Sequence, residues 1–192
     1  MNLLNNIIFS NSNIDINIGT IEFGWMDISL STKDKKVQYC VSYISDPIND
    51  IIIKFAKCIT NQPIDITPFK SATNLFHVIH DCEGQFFSWL FLKYENKLKI
   101  LVWENEYQFD DWILGDFDTN KLLLFPEHDE IPNVNENLIF AINTTVSDFA
   151  FSLINSINQM KKQLEYITNQ DSWGYNYDKK AYQIILNHLY SI

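Results

Sequence analysis

The segment FFSWLFLKY, Phe86 to Tyr94, constrains the fold more than any other. Successive side chains of a strand point to opposite faces. Read as a strand, the segment puts Phe87, Trp89 and Phe91 on one face and Phe86, Leu90 and Leu92 on the other. Both faces are apolar, so the strand belongs inside a sheet covered on both sides, by a helix on one and a second layer on the other. Its neighbours fit this reading. NLFHVIHDC precedes it across an EGQ turn, and KLKILVWEN follows across a two-residue turn at Glu95-Asn96.

The rest of the chain sorts around this centre. Ile16 to Ser31 alternates like a strand, with a phase slip near Gly24 that predicts a bulge or bend. TKDKK is a polar turn, and VQYCVSYI alternates again, so the two stretches read as an antiparallel hairpin. SDPINDIIIKFAKCI opens with capping residues Ser45 and Asp46 and with Pro47 at the first helical position. Ile48, Ile51, Ile52, Phe55 and Ile59 then form an apolar stripe at helical spacing, which predicts a helix over 46–60. Pro63 and Pro68 bound a loop. DDWILGDF and KLLLFPEH form a further candidate hairpin around DTN, and residues 126–137 read as a long acidic loop. From Thr144 the period becomes helical. Val146, Phe149, Leu153, Ile157, Met160, Leu164 and Ile167 mark an amphipathic helix of about six turns. A short last helix, KKAYQIILNHLY, carries Tyr182, Ile185, Leu186 and Leu189 on its apolar side. The expectation is one α+β domain over residues 1–192, with a central antiparallel sheet of about six strands. Residues 14–143 are mainly sheet with one helix, and 144–190 form a helical C-terminal part of two helices.

Charge is distributed unevenly. The formal net charge is −10, and residues 100–160 hold all of the excess, with Lys121 as the one cation in that stretch. Such a field repels nucleic acid and anionic membranes and steers basic partners inward. The chain also has no Arg, and so no planar fork for bidentate phosphate or guanine contacts. Neither nucleic acid nor membrane is therefore expected as a partner. Cys40, Cys58 and Cys82 are odd in number and widely spaced, unlike a disulfide framework or a zinc knuckle. MNLLNNIIFSNSN lacks a basic n-region and a long apolar run, and no stretch nears the roughly 20 apolar residues of a membrane span. These features point to a reducing, cytoplasmic setting.

Two clusters bear on chemistry. HVIHDCEG, His77 to Gly84, gathers two His, an Asp, a Cys and a Glu. On a strand, His77, Ile79, Asp81 and Glu83 share one face, while His80 and Cys82 share the other. The two imidazoles then diverge, against the convergence a metal requires. Cys82 beside His80 is the one sequence-local thiol–imidazole pair. No Gly-x-Ser-x-Gly elbow or glycine-rich phosphate loop occurs. No catalytic residue, metal or cofactor is assigned.

The second cluster, VWENEYQFDDWILGDFD, runs from Val102 to Asp118. Glu104, Glu106, Asp110, Asp111, Asp116 and Asp118 interleave there with Trp103, Tyr107, Phe109, Trp112 and Phe117. One reading packs Trp103 and Trp112 inward and leaves the acids in water. The other makes aromatic anchors rimmed by carboxylates, the composition of a tight interface for a basic partner.

WMDISLS, VQYCVSYISDPINDIIIKFAKCI and CEGQFFSWLFLKYENKLKILVWENE succeed one another over residues 16–106. This order of elements resembles the small acidic bacterial immunity proteins encoded in toxin–immunity loci, including those of contact-dependent growth inhibition and other polymorphic toxin systems. The resemblance implies a cytoplasmic, non-enzymatic inhibitor that binds a cognate toxin domain, often a nuclease, and blocks its active or target site. Such proteins share no catalytic residues, so it carries over none. The charge map agrees independently, since a nuclease presents a cationic groove that a polyanionic surface can mimic. On this reading the toxin-binding surface lies on 104–130. Glu104, Glu106, Asp110, Asp111, Asp116 and Asp118 supply the field, and Tyr107 and Trp112 the anchors. The rival readings are a hydrolase or metal-binding enzyme using His80, Cys82 or an acidic pair, and a module that self-associates through FFSWLFL.

Overall fold

The computed structural model describes residues 10–11, 13–22, 25–42, 46–62, 64–66, 69–72, 75–82, 85–106, 138–166 and 177–191. Within them the order is β1 (Ser10–Asn11), β2 (Asp15–Glu22), β3 (Trp25–Ser31), β4 (Lys36–Ser42), α1 (Pro47–Ile59), β5 (Ile64–Ile66), β6 (Phe69–Ala72), β7 (Leu75–Asp81), β8 (Gln85–Tyr94), β9 (Lys97–Glu106), β10 (Leu138–Thr145), α2 (Val146–Tyr166) and α3 (Lys179–Tyr190).

Strands and helices are both present, as expected, but the strands do not form one six-stranded sheet. They form a five-stranded sheet, β1-β10-β9-β8-β7, a three-stranded sheet, β2-β3-β4, and the pair β5-β6. All pairings in the large sheet are antiparallel except β1 with β10. Strand β8 is hydrogen-bonded on both sides, and both of its faces are covered. Phe87, Trp89 and Phe91 are buried on one face, Leu90 and Leu92 on the other. In β9 the adjacent Ile100, Leu101 and Val102 are all fully buried. Phe87, Trp89, Leu90, Phe91 and Leu92 of FFSWLFL are thus part of the core. The Glu95-Asn96 turn forms as expected, with Tyr94 opposite Lys97 and Glu95 at a left-handed φ of 53°.

The phase slip near Gly24 marks a reversal of the chain rather than a bend in one strand. Glu22 pairs with Trp25, and β2, β3 and β4 make a three-stranded meander instead of a single hairpin. The irregularity in pairing lies earlier, between Ile18 and Ile21. There a Cβ on Gly19 would stand 3.1 Å from the Cβ of Asp27, a close approach that suits glycine.

The helices follow their sequence signals closely. Asp46 caps α1 by accepting from the Asn49 amide, Pro47 takes the first turn, and Ile48, Ile51, Ile52 and Phe55 are fully buried. Helix α2 starts directly after β10. The Thr145 hydroxyl accepts from the Asp148 N–H at 2.9 Å and donates to its carboxylate at 2.8 Å. The Asn96 carbonyl of the β8–β9 turn accepts from the Val146 N–H at 2.9 Å. Asp178 caps α3, and its own amide donates to Asn49 at 2.6 Å, tying α3 to the start of α1.

Helix α2 also closes an open sheet edge. The Ile16 and Ile18 amides of β2 donate to Ser152 and Ser156 at 2.6 Å each. Four helical residues advance about 6 Å and two strand residues about 6.8 Å, so the spacings nearly match. Two serines on one helix stripe thus take the place of a neighbouring strand, which protects the edge.

Buried residues from all three helices and from both larger sheets form one cluster. Phe55 of α1, Phe76 and Phe91 of the large sheet, and Phe149 of α2 meet at its centre. Phe76 and Phe91 stack at 4.0 Å, and Phe149 meets Phe55 and Phe91 edge-on at 4.8 and 5.1 Å. Two sequence expectations fall outside the described residues, namely the hairpin around DTN and the 126–137 loop. The stretch between Pro63 and Pro68, expected as loop, contains β5.

Candidate functional site at one end of the large sheet

The described parts of the two chemically rich clusters, 77–82 and 102–106, lie at the same end of the five-stranded sheet. Strand register sets His80 of β7 opposite Phe87 of β8, and Phe87 opposite Glu104 of β9. One residue further out, Asp81, Phe86 and Asn105 lie abreast; beyond them Gln85 lies opposite Glu106. The Cys82 amide donates to the Gln85 carbonyl at 2.9 Å and closes the β7–β8 turn. Asp81 of β7 and Glu104 and Glu106 of β9 therefore occupy one sheet end, with β8 between them.

Glu104 is half-buried, and Glu106 closes β9. Trp103 is 6% exposed and belongs to the core, as the inward-packing alternative expects. Tyr107, Asp110, Asp111, Trp112, Asp116 and Asp118 lie outside the described residues. The chain enters that acidic stretch directly from the end of β9.

Beneath this end lies a buried aromatic group that sequence reasoning did not assemble. The Tyr39 ring of β4 stacks on Phe87 at 3.8 Å, with the planes 4° apart. Its hydroxyl meets His80 Nδ1 at 2.5 Å, and Trp89 packs edge-on against the imidazole at 5.0 Å. His80 is fully buried. Burial, reinforced by neighbouring Cys82, raises the Tyr39 phenol well above its usual range, so it stays a neutral hydrogen-bonding group. This contact couples the small sheet to the large one. A signal for it existed in the strand phases, since VQYCVSYI puts Tyr39 with Val37 and Val41, and all three are buried. The partner strand was not legible, because pairing between distant segments leaves no local mark.

Residues 77–81 of this cluster lie in strand β7, as the alternation predicts, and Phe76, Val78 and His80 are buried in one phase. The Cys82 sulfur lies 3.9 Å from the His80 backbone carbonyl, a weak contact to the main chain. Among the described residues no group of three or more His, Cys, Asp or Glu is placed to hold a metal ion. No helix among them is long and apolar enough to cross a membrane.

The chain matches no family model, no curated protein and no solved structure. Its function is therefore argued from its own geometry and charge.

The other cysteines are quiet. The Cys40 thiol donates to Asp27 at 2.7 Å, and this bond, ahead of burial, raises its pKa. Burial pushes Cys58 up to about 11. Neither is disposed to be a thiolate at neutral pH.

Proposed function

We propose that this chain is an immunity-type binding protein that neutralises a basic toxin domain, of nuclease type, through the acidic surface that begins at Glu104. The observation that carries the reading is the register at the sheet end. Asp81 of β7 and Glu104 and Glu106 of β9 lie at one end of the sheet with β8 between them, and β9 leads immediately into a stretch holding Asp110, Asp111, Asp116 and Asp118. A rigid platform of paired strands under a concentrated negative field is suited to fast, salt-dependent capture of a cation-lined groove. Tyr107 and Trp112, set among the acids in sequence, are the proposed anchors that slow dissociation. In this reading the chain works in the cytoplasm, performs no catalysis and uses no cofactor. Burial of His80 beneath Tyr39 agrees with a binding role, since an imidazole so enclosed serves the fold.

The experiment is co-expression with the C-terminal fragment encoded immediately upstream in the native locus. The reading expects the fragment to arrest growth alone, growth to return when this chain is present, and the two to co-purify. A toxic fragment that this chain neither neutralises nor binds would overturn it.

A further inference from the structure

Helices α1 and α3 begin together and end together. At their starts the Asp178 amide donates to Asn49 at 2.6 Å. At their ends stands Lys93 of β8. Its ammonium donates to Asn61, just past α1, at 3.1 Å. Its charge reaches both the buried Cys58 thiol of α1 and His188 in the last turn of α3. Three elements thus meet around one lysine. His188 is half-buried there. Its Nε2 is shut from solvent and finds no hydrogen-bond partner among the described residues.

That atom decides which protonation state the docked helix tolerates. A neutral imidazole can leave one ring nitrogen as an unused acceptor, whereas an imidazolium donates from both. A buried cationic N–H without an acceptor is strongly disfavoured. A helix C-terminus favours a cation, but the His188 carbonyl is already taken by the Ser191 amide at 3.3 Å and the Ser191 hydroxyl at 2.9 Å. The surrounding elements bring no compensating anion. From β8 the imidazole meets the like charge of Lys93. Helix α1 brings Lys57 and the neutral Cys58 thiol at its end, while Asp50, in its first turn, is paired with Lys54 at 2.8 Å. Helix α2 brings Lys161, which sits over the Tyr177 and Tyr182 rings at the other end of α3. Burial, ahead of the Lys93 ammonium, accordingly lowers the imidazole below its ordinary 6.5.

We propose that His188 is an acid-sensitive latch, whose protonation releases the C-terminal half of α3 from β8 and α1. A released imidazole regains its ordinary value, so docking is intact above about pH 6.5 and weakens as pH falls below it. The latch is independent of the toxin-binding reading.

The test follows the whole chain from pH 8 to 5 by NMR of the imidazole resonances. Amide hydrogen exchange, corrected for its intrinsic pH dependence, is measured in parallel. His188 should titrate below 6.5, and exchange at 184–190 should speed severalfold between pH 7 and 5. His80 lies in β7, so an acid response of its own would appear in that strand instead. His188→Phe should remove the acceleration. Lys93→Gln should bring the imidazole back towards 6.5 and shrink the acceleration. Titration of His188 at or above 6.5 would overturn the latch. So would the absence of acceleration in the parent, an acceleration that His188→Phe leaves unchanged, or an imidazole that Lys93→Gln does not move.

Discussion

The buried contact of Tyr39 with His80 and the thiol of Cys40 sit on the same strand in opposite phases, and their chemistry differs accordingly. Tyr39 points into the core between the sheets, while Cys40 faces water and is held by Asp27 across the β3–β4 ladder. A thiol that donates to a carboxylate resists losing its proton, because the thiolate would face a like charge. Asp27→Asn removes that charge. Labelling of Cys40 by a disulfide reagent at pH 7.5 should then run several-fold faster than in the parent, with Cys58 silent in both. An unchanged rate would mean that Asp27 does not set the thiol's reactivity.

At the scale of elements, much was legible. Capping residues, a first-turn proline and a clean apolar stripe marked α1, and the Asp46 cap forms with its helix. The two apolar phases of FFSWLFLKY correctly demanded an interior strand. Other elements left weaker marks. Strand β10 runs into α2 without a turn, so its alternation of Phe140, Ile142 and Thr144 merges with the helical period that follows. Division of the strands between two larger sheets depends on contacts between distant segments, as with Tyr39 on Phe87, and no local pattern encodes it. The serine pair of α2 was equally silent, since Ser152 and Ser156 read simply as polar interruptions of an apolar stripe. Their role is testable. Ser152→Ala or Ser156→Ala leaves one buried β2 amide without its acceptor, which costs about 1–3 kcal/mol. Urea unfolding should show that loss, and hydrogen exchange should accelerate at Ile16 or Ile18 respectively. Full stability and protection in both variants would show that the serines do not hold the edge.

For the molecule as a whole, burial and charge make separate predictions. Tyr39 is raised above a reference of 10.0, and Cys58 is raised from 9.0 to about 11. The unfolded chain therefore releases these protons first. Their stabilisation is intact below about pH 9 and is lost as pH rises through the folded values. For Cys58 alone the loss is about 2 kcal/mol by pH 10.5, from roughly 1.4 kcal/mol per pH unit. Urea midpoints measured at pH 8 and 10.5 should fall less in Cys58→Ala than in the parent, and less again when Tyr39→Phe is added. Equal slopes in all three would place the alkaline loss elsewhere. The negative field acts at longer range, through partners rather than through the core. Association with the upstream-encoded fragment is the most direct reading of it. We predict that the association rate falls at least tenfold between 50 and 300 mM salt. Asp110→Lys with Asp111→Lys should lower the rate at low salt and flatten its salt dependence, and Glu104→Lys with Glu106→Lys should do the same. Association that is indifferent to salt and to both charge reversals would contradict an acidic toxin-binding surface.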